Sequence, residues 1–224
     1  MPEVPPSYPL VWEKPPAGPV LVLAPHPDDE AIGCGGVLIR HAGQGDRVRV
    51  VFVTDGAAGD PLGYYAGLDY KGLRRQEAKQ AAEALGVEEL LFLDYPDGRL
   101  VEVQGLAEHL RRLVEADPPS VIYSPSVREV HPDHWAVAVA LEQALRGAQT
   151  SATVYHYEIW AAIEPTHLID ITAVWNQKRS AVKQYQSQLR YNDYLHIIGG
   201  LNAHRSIYLT AARYVEAFRV GNFS

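Results

Sequence analysis

The stretch Pro25-His26-Pro27-Asp28-Asp29-Glu30 sets one imidazole and three carboxylates immediately behind the apolar run Val20-Leu21-Val22-Leu23-Ala24. An unbroken aliphatic run of this length reads as a strand buried on both faces, which belongs in a parallel sheet covered by helices. The small residues that follow, Ala31-Ile32-Gly33-Cys34-Gly35-Gly36-Val37-Leu38, read as a tightly packed helix start, with the helix running from about residue 29 to 42 and ending near Gly43. The charged cluster therefore falls at the mouth of a strand, and in open α/β sheets ligands bind outside the carboxyl ends of the strands. Further along, His131-Pro132-Asp133-His134 repeats the arrangement behind Val121-Ile122-Tyr123-Ser124.

Between the clusters, strands and helices alternate. Residues 47–53 read as a strand closed by Thr54-Asp55-Gly56, and helix 73–85 carries Ala78, Ala81, Ala82 and Leu85 on one face before stopping at Gly86, a left-handed cap position. Strand 90–93 and the turn Asp94-Tyr95-Pro96-Asp97-Gly98 follow, then a helix with the stripe Leu106, Leu110, Leu113 and Val114. After strand 121–124 a helix runs from Pro132 to about Arg146 with His134, Ala138, Leu141 and Leu145 on one face. This spacing predicts right-handed crossovers. The expected fold class is α/β: a Rossmann-like, mostly parallel sheet with helices on both faces, and extra strands and helices in the C-terminal third.

In that last third, Thr153, Tyr155, Tyr157 and Ile159 alternate as a strand, residues 168–171 make another, and Thr172 is expected to cap a helix from Ala173 to about Gln188. Tyrosines at 185, 191, 194, 208 and 214 read as packing or interface residues. Length alone gives no reason to divide the chain, so one domain is expected over residues 1–224: a proline-rich extended arm (1–19), the Rossmann-like core (20–146) and the C-terminal elements (147–224). The irregular stretch 55–72, with its glycines, aspartates and tyrosines, reads as a loop on the substrate side.

Twenty basic against 27 acidic residues leave a net charge of −7, which opposes attraction to nucleic acid or to an anionic membrane surface. No apolar run approaches the ~18 residues of a membrane span, and the N-terminus lacks the pattern of a secretory signal. The single cysteine, Cys34, forms no internal disulfide and suits a reducing compartment. A soluble cytoplasmic protein is the expectation, with neither nucleic acid nor membrane as a partner.

His-x-x-Asp and His-x-x-His at two helix starts each bring their end residues about one turn apart, so both can lean toward a common point. Two imidazoles and a carboxylate are a recurring set for catalytic zinc, which makes His26, Asp29 and His134 the candidate ligands of one ion per chain, although iron or cobalt accepts the same donors. Asp28 and His131 remain. A carboxylate beside activated water can act as general base, and a histidine opposite it can stabilise an oxyanion or protonate a leaving amine. Asp133 is expected to orient and help charge His131. Each cluster alone has an ordinary explanation: acidic residues favour any helix start, and His134 shares its face with core residues. Two clusters at equivalent places in one sheet make the metal reading the stronger. The glycines at 33, 35 and 36 do not match a dinucleotide fingerprint, because carboxylates occupy the turn where phosphate would sit.

The same residues carry a resemblance. Pro25 to Glu30, then Gly33-Cys34-Gly35-Gly36, Arg74-Arg75-Gln76-Glu77 ahead of Ala84-Leu85-Gly86-Val87, and His131-Pro132-Asp133-His134 resemble the LmbE-like (PIG-L) zinc N-deacetylase family over residues 20–145. A weaker likeness continues through Tyr185-Gln186-Ser187-Gln188 and Tyr214-Val215-Glu216-Ala217-Phe218. The resemblance implies removal of the acetyl group from an N-acetylglucosamine-containing conjugate, with the aglycone left open. It implies His26, Asp29 and His134 as zinc ligands, Asp28 as base and His131 as oxyanion or acid group. It further implies that Arg74 and Asp97 hold sugar hydroxyls, and that the chain forms a homo-oligomer. Glu129 departs from the pattern, standing where some relatives place a tyrosine that assists the oxyanion. Two other classes fit the residues: a metal hydrolase of a different amide, and a non-catalytic metal- or sugar-binding protein, which would have no need of Asp28.

Overall fold

Hydrogen bonds join eight strands into one mixed sheet in a computed structural model that describes residues 8–221. In chain order the elements are β1 (Leu10–Trp12), β2 (Val20–Ala24), α1 (Asp29–Gly43), β3 (Val48–Thr54), α2 (Tyr70–Leu85), β4 (Glu89–Tyr95), α3 (Leu106–Ala116), β5 (Val121–Pro125), α4 (Pro132–Gly147), β6 (Thr153–Tyr157), β7 (His167–Asp170), α5 (Trp175–Val182), α6 (Gln186–Leu189), α7 (Tyr194–Arg205) and β8 (Val215–Val220). Across the sheet the order is β1-β7-β8-β6-β5-β2-β3-β4. The expected α/β architecture is present. Among the described residues no helix is long and apolar enough to cross a membrane.

β2 lies at the centre, parallel to β3 on one side (Val20 opposite Val48) and to β5 on the other (Val20 opposite Val121). From β2 the chain winds outward through β3 and β4, then returns across α3 to place β5 on the far flank. The crossovers after β2 and β5 therefore leave in opposite directions, and the gap they open at the carboxyl ends of these strands is where such sheets bind ligands. One face of the sheet buries Val22, Leu38, Phe52, Leu85 and Tyr157 beneath α1, α2 and α5; the other buries Leu23, Val53, Leu110, Ile122 and Leu141 beneath α3 and α4.

Helix α1 explains its own glycines. A Cβ on Gly33 would stand 2.3 Å from the Tyr157 ring, and one on Gly36 would stand 2.5 Å from Ile171 Cγ2. The close approach of helix to sheet requires hydrogen at both positions. The helix kinks at Cys34 (φ −138°, ψ 15°), and the amides freed there, Gly36 N and Val37 N, each donate at 2.7 Å to the carboxylate of Glu216 on β8. Lys178 on α5 neutralises that buried carboxylate at 2.7 Å and also donates to Asn202 on α7 at 3.0 Å. A strand and two helices from the last third thus fasten the element that carries Asp29 at its first turn.

Several boundaries differ from expectation. Helix α2 begins at Tyr70, three residues before the expected start, because Asp69 caps it by accepting from Gly72 N. The expected helix 173–188 is broken: α5 ends at Val182, and Thr172 does not cap it but accepts from Arg213 N and Tyr214 N. The break buries Tyr185 and delivers Ser187 to Glu77, which accepts from its amide at 2.7 Å and its hydroxyl at 2.6 Å. Helix α7 and strand β8 were not anticipated, and β8 runs antiparallel to both β6 and β7. Of the expected N-terminal arm, residues 1–7 lie outside the described residues, and residues 10–12 form an edge strand parallel to β7.

Candidate active site

Both sequence clusters lie at the carboxyl ends of the central strands. His26, Asp28 and Asp29 occupy the link from β2 to α1, and His131 and His134 stand at the start of α4 behind β5. Pro25 O anchors the first link by accepting from Thr54 N and Thr54 Oγ1, both at 2.9 Å. Asp28 is forced into φ 140°, ψ −25°, a conformation that costs a non-glycine residue of order 1–3 kcal/mol and is tolerated where the surroundings over-determine it. The surroundings here are explicit. Asp28 N donates to Glu30 Oε2 at 3.2 Å, and Glu30 Oε1 accepts from the buried Tyr185 hydroxyl at 2.5 Å.

Three donor atoms converge. His26 Nδ1 is 3.1 Å from Asp29 Oδ2 and 3.3 Å from His134 Nε2, which is itself 3.3 Å from Asp29 Oδ2. Ligands at ~2.0–2.1 Å from a tetrahedral ion stand ~3.3 Å apart, so this triangle fits zinc without rearrangement. Two further sets, His26–His131–His134 and His26–Asp97–Asp133, also have donor atoms within 4.8 Å of one another. In the second set, however, the carboxylates meet the opposite nitrogen of His26. Asp133 Oδ2 lies 3.2 Å and Asp97 Oδ1 3.0 Å from His26 Nε2, so they stand behind the ring and hold Nδ1 toward the triangle.

Asp133 is therefore matched to a different histidine from the one expected. Its carboxylate accepts from Gly98 N at 2.6 Å and Leu100 N at 2.9 Å as well as facing His26, while only its main-chain amide touches His131, donating to Nδ1 at 3.2 Å. Helix geometry is the reason. The residue at the second helical position turns its side chain away from the capping residue, whose side chain accepts from its amide. Asp97, expected at sugar hydroxyls, divides its carboxylate between His26 and Ala58 N (2.9 Å). Arg74 lines the cavity but is buried, with Nη2 donating to Pro27 O and lying 3.3 Å from Asp28 Oδ2. Its nearest ionised partner is Asp28.

Electrostatics separates the two carboxyls of the turn. Burial pushes Asp28 up to about 6, against the pull of Arg74. Burial also acts on Asp29, but His134 and His26 outweigh it and hold that carboxyl below its usual range. Burial, reinforced by the charges of His26 and His134, lowers His131. With Nδ1 accepting from Asp133 N, the neutral His131 ring carries its proton on Nε2.

The sequence flagged Glu129 only as a departure. Its Oε2 lies 3.3 Å from His134 Nδ1, and its Oε1 accepts from Ile159 N at 3.0 Å and Trp160 N at 3.2 Å. It thus serves His134 as Asp133 and Asp97 serve His26. Trp160, whose backbone it anchors, stands with its ring 5.4 Å from that of His131 and forms one cavity wall. The tail supplies the other. Tyr191 and Tyr194, expected to be packing or interface residues, line the cavity with Gln188 and Asn192, whereas Tyr185 packs inside and Tyr214 stacks on Trp175 at 4.0 Å. Loop 55–72 reaches the same cavity through Ala58, Gly59 and Pro61, with Gly59 O accepting from Gln188 Nε2 at 3.1 Å.

Residues 21–145 match the family described as PIG-L: GlcNAc-PI de-N-acetylase. The chain is 29% identical to a diacetylchitobiose deacetylase of Thermococcus kodakarensis, over 75% of this chain and 69% of that protein. It is 31% identical to a probable N-acetyl-alpha-D-glucosaminyl L-malate deacetylase 2 of Bacillus cereus, over 75% and 83%. Its fold is that of the N,N'-diacetylchitobiose deacetylase from Pyrococcus horikoshii, with a TM-score of 0.80 at 23% identity over 91% and 84% of the two chains. A 4-oxalmesaconate hydratase of Pseudomonas putida is also similar, at 26% identity over 86% and 84%, so likeness of the whole chain does not by itself select a reaction. The chain belongs to the PIG-L (LmbE-like) family.

Proposed function

We propose, starting from membership of this family, that the chain is a zinc-dependent hydrolase that removes the acetyl group from an N-acetylglucosamine-containing conjugate. The observation that carries this reading is the triangle of His26 Nδ1, Asp29 Oδ2 and His134 Nε2, lining the same cavity as Asp28 and His131. His26, Asp29 and His134 would hold one ion, which supplies a Lewis acid for the amide carbonyl and lowers the pKa of water toward neutrality.

Asp28 takes the proton of the attacking water. A carboxyl set near 6 is ionised at neutral pH yet basic enough for that task. As the water oxygen bonds to the carbonyl carbon, charge grows on the carbonyl oxygen, and Nε2–H of His131 is the donor that meets it. The neutral ring favours this oxyanion role over that of a charged acid. The C–N bond then breaks, its electron pair leaving with nitrogen, which takes up the proton held by Asp28. The proton left on the new carboxyl group passes to the amine, so acetate and the ammonium form of the amino sugar are released. Arg74 and Asp97 serve Asp28 and His26 first, and contact sugar hydroxyls from those positions.

The test is zinc content measured together with amine release from N-acetylglucosamine conjugates. His26→Ala, Asp29→Ala and His134→Ala should each lose the ion, and full occupancy with undiminished turnover in all three would refute the site. Asp28→Asn should keep zinc and lose kcat by about a hundredfold or more. Near-normal turnover in that variant would favour the binding-protein reading. Self-association of the chain should show as more than a monomer's mass in light scattering at micromolar concentration, and a clean monomer would rule it out.

A further inference from the structure

The inner wall of the cavity is polar except at one place. Of the residues lining it, Asp28, Asp29, Ile32, Arg74, His134 and Gln188 are buried, and Ile32 is the only one of these with an apolar side chain. The other apolar side chains of the lining, Ala58, Pro61 and Trp160, are exposed and belong to the mouth. The buried polar groups offer nothing to an alkyl chain. Asp29 and His134 form the donor triangle with His26, and Gln188 Nε2 donates to Gly59 O at 3.1 Å and to the Tyr70 hydroxyl at 2.6 Å. Arg74 gives Nη2 to Pro27 O and Asp28, while its Nε and Nη1 are buried without a hydrogen-bond partner.

Ile32 stands one turn beyond Asp29 on α1, so it shares a helix face with a candidate ligand. A β-branched side chain in a helix keeps essentially one χ1 rotamer. The helix beneath it cannot recede. A Cβ on Gly33 would come within 2.3 Å of the Tyr157 ring, Gly36 is as close to Ile171, and the amides of Gly36 and Val37 are tied to Glu216. Ile32 is therefore a stiff apolar stop on a fixed support.

The acyl group of the substrate has to meet that stop. A planar amide sends its carbonyl oxygen, its nitrogen and its acyl carbon in three different directions. The oxygen must reach Nε2–H of His131, and the nitrogen, which carries the sugar, must face the mouth. The acyl carbon is left with the inner wall. A methyl set against Arg74, Gln188 or a carboxylate would strip water from a polar group without replacing its hydrogen bonds, whereas Ile32 gains from the contact.

We infer that Ile32 sets the length of acyl group that the enzyme removes: its side chain receives the acetyl methyl and blocks a longer chain. This rests on the N-deacetylase reading and deepens it by naming a specificity-determining residue.

The experiment measures amine release by the zinc-loaded protein from N-acetylglucosamine, N,N'-diacetylchitobiose and an N-acetylglucosaminyl malate, each beside its N-propionyl and N-butyryl counterpart. In the parent, kcat/KM should fall about tenfold or more from acetyl to propionyl and again to butyryl, the scale on which a closed apolar pocket counts one methylene. Ile32→Ala should raise the butyryl-to-acetyl ratio about tenfold or more at unchanged zinc content. Ile32→Val, which removes one carbon and keeps the branch, should raise the propionyl-to-acetyl ratio while still rejecting butyryl, and it decides the question if the alanine variant does not fold. Taking each ratio relative to the parent cancels the intrinsic reactivity of the three amides. Butyryl turnover equal to acetyl turnover in the parent, or an acyl preference unchanged in the folded variants, would overturn the inference and leave the deacetylase reading intact. Absence of amine release from all three acetyl substrates would instead remove the reading beneath it.

Discussion

Glu129 Oε2 stands 3.3 Å from Nδ1 of His134, the ring nitrogen opposite the one that joins the donor triangle. The same carboxylate receives the amides of Ile159 and Trp160, so one buried side chain sets both a candidate ligand and the aromatic wall. Asp133 and Asp97 do the corresponding work for His26.

Removing such a carboxylate leaves the ligand in place but frees its orientation. Glu129→Ala and Asp97→Ala should each weaken zinc binding by about 10–100-fold in a chelator competition, with little effect on which sugar is hydrolysed. Unchanged affinity in Asp97→Ala together with a selective loss of sugar turnover would mean that contact with the sugar hydroxyls, and not support of His26, is the main role of this carboxylate.

The strained Asp28 is held through its amide by Glu30, and Glu30 is held by Tyr185. Tyr185→Phe removes one hydroxyl from a closed interior, so kcat should fall about tenfold at unchanged zinc content and nearly unchanged KM. Glu30→Gln, which keeps an acceptor for the Asp28 amide, should retain more activity than Glu30→Ala. Equal losses in the two Glu30 variants would mean that the side chain only fills space.

At the opposite end of α1, His41 is buried between Asp46 (2.7 Å) and the Tyr123 hydroxyl (3.0 Å). Burial lowers its pKa in spite of Asp46. A histidine whose folded value lies below its unfolded value of ~6.5 stabilises the fold fully above that value, and the contribution is lost as pH falls through the folded one. Urea midpoints should therefore drop between pH 7 and pH 5 in the parent and drop less in His41→Asn. An identical slope in both would place the acid sensitivity elsewhere.

Gly33 lies against the Tyr157 ring, whose hydroxyl donates to Leu23 O at 2.7 Å. Gly33→Ala should destabilise the protein by about 1–3 kcal/mol, the usual cost of overpacking, seen as a lower Tm. A Tm equal to the parent's would show that helix and ring can separate freely.

Much of this was written in local order. Periodicity placed β2 through α4 within a few residues, because buried strands and amphipathic helices leave their own spacing in the chain. Two motifs at strand ends were enough to nominate His26, Asp28, Asp29, His131 and His134, since each motif is shorter than one helical turn plus its cap. Partnership was another matter. In sequence Asp133 stands two residues from His131, its expected partner, but the turn of α4 sends its carboxylate to His26 and to the amides of residues 98 and 100. Nothing near Glu129 announces that it will meet the amides of residues 159–161, and nothing near Glu216 announces a break in α1. The tail kept its secret for the same reason: helix 173–188 looked continuous until Tyr185 was needed at Glu30 and Ser187 at Glu77. Chemistry that depends on which residue types stand next to each other is carried by the sequence. Chemistry that depends on which buried polar atom satisfies which other is decided only when distant segments are packed together, because each such atom takes whatever partner the closed interior offers.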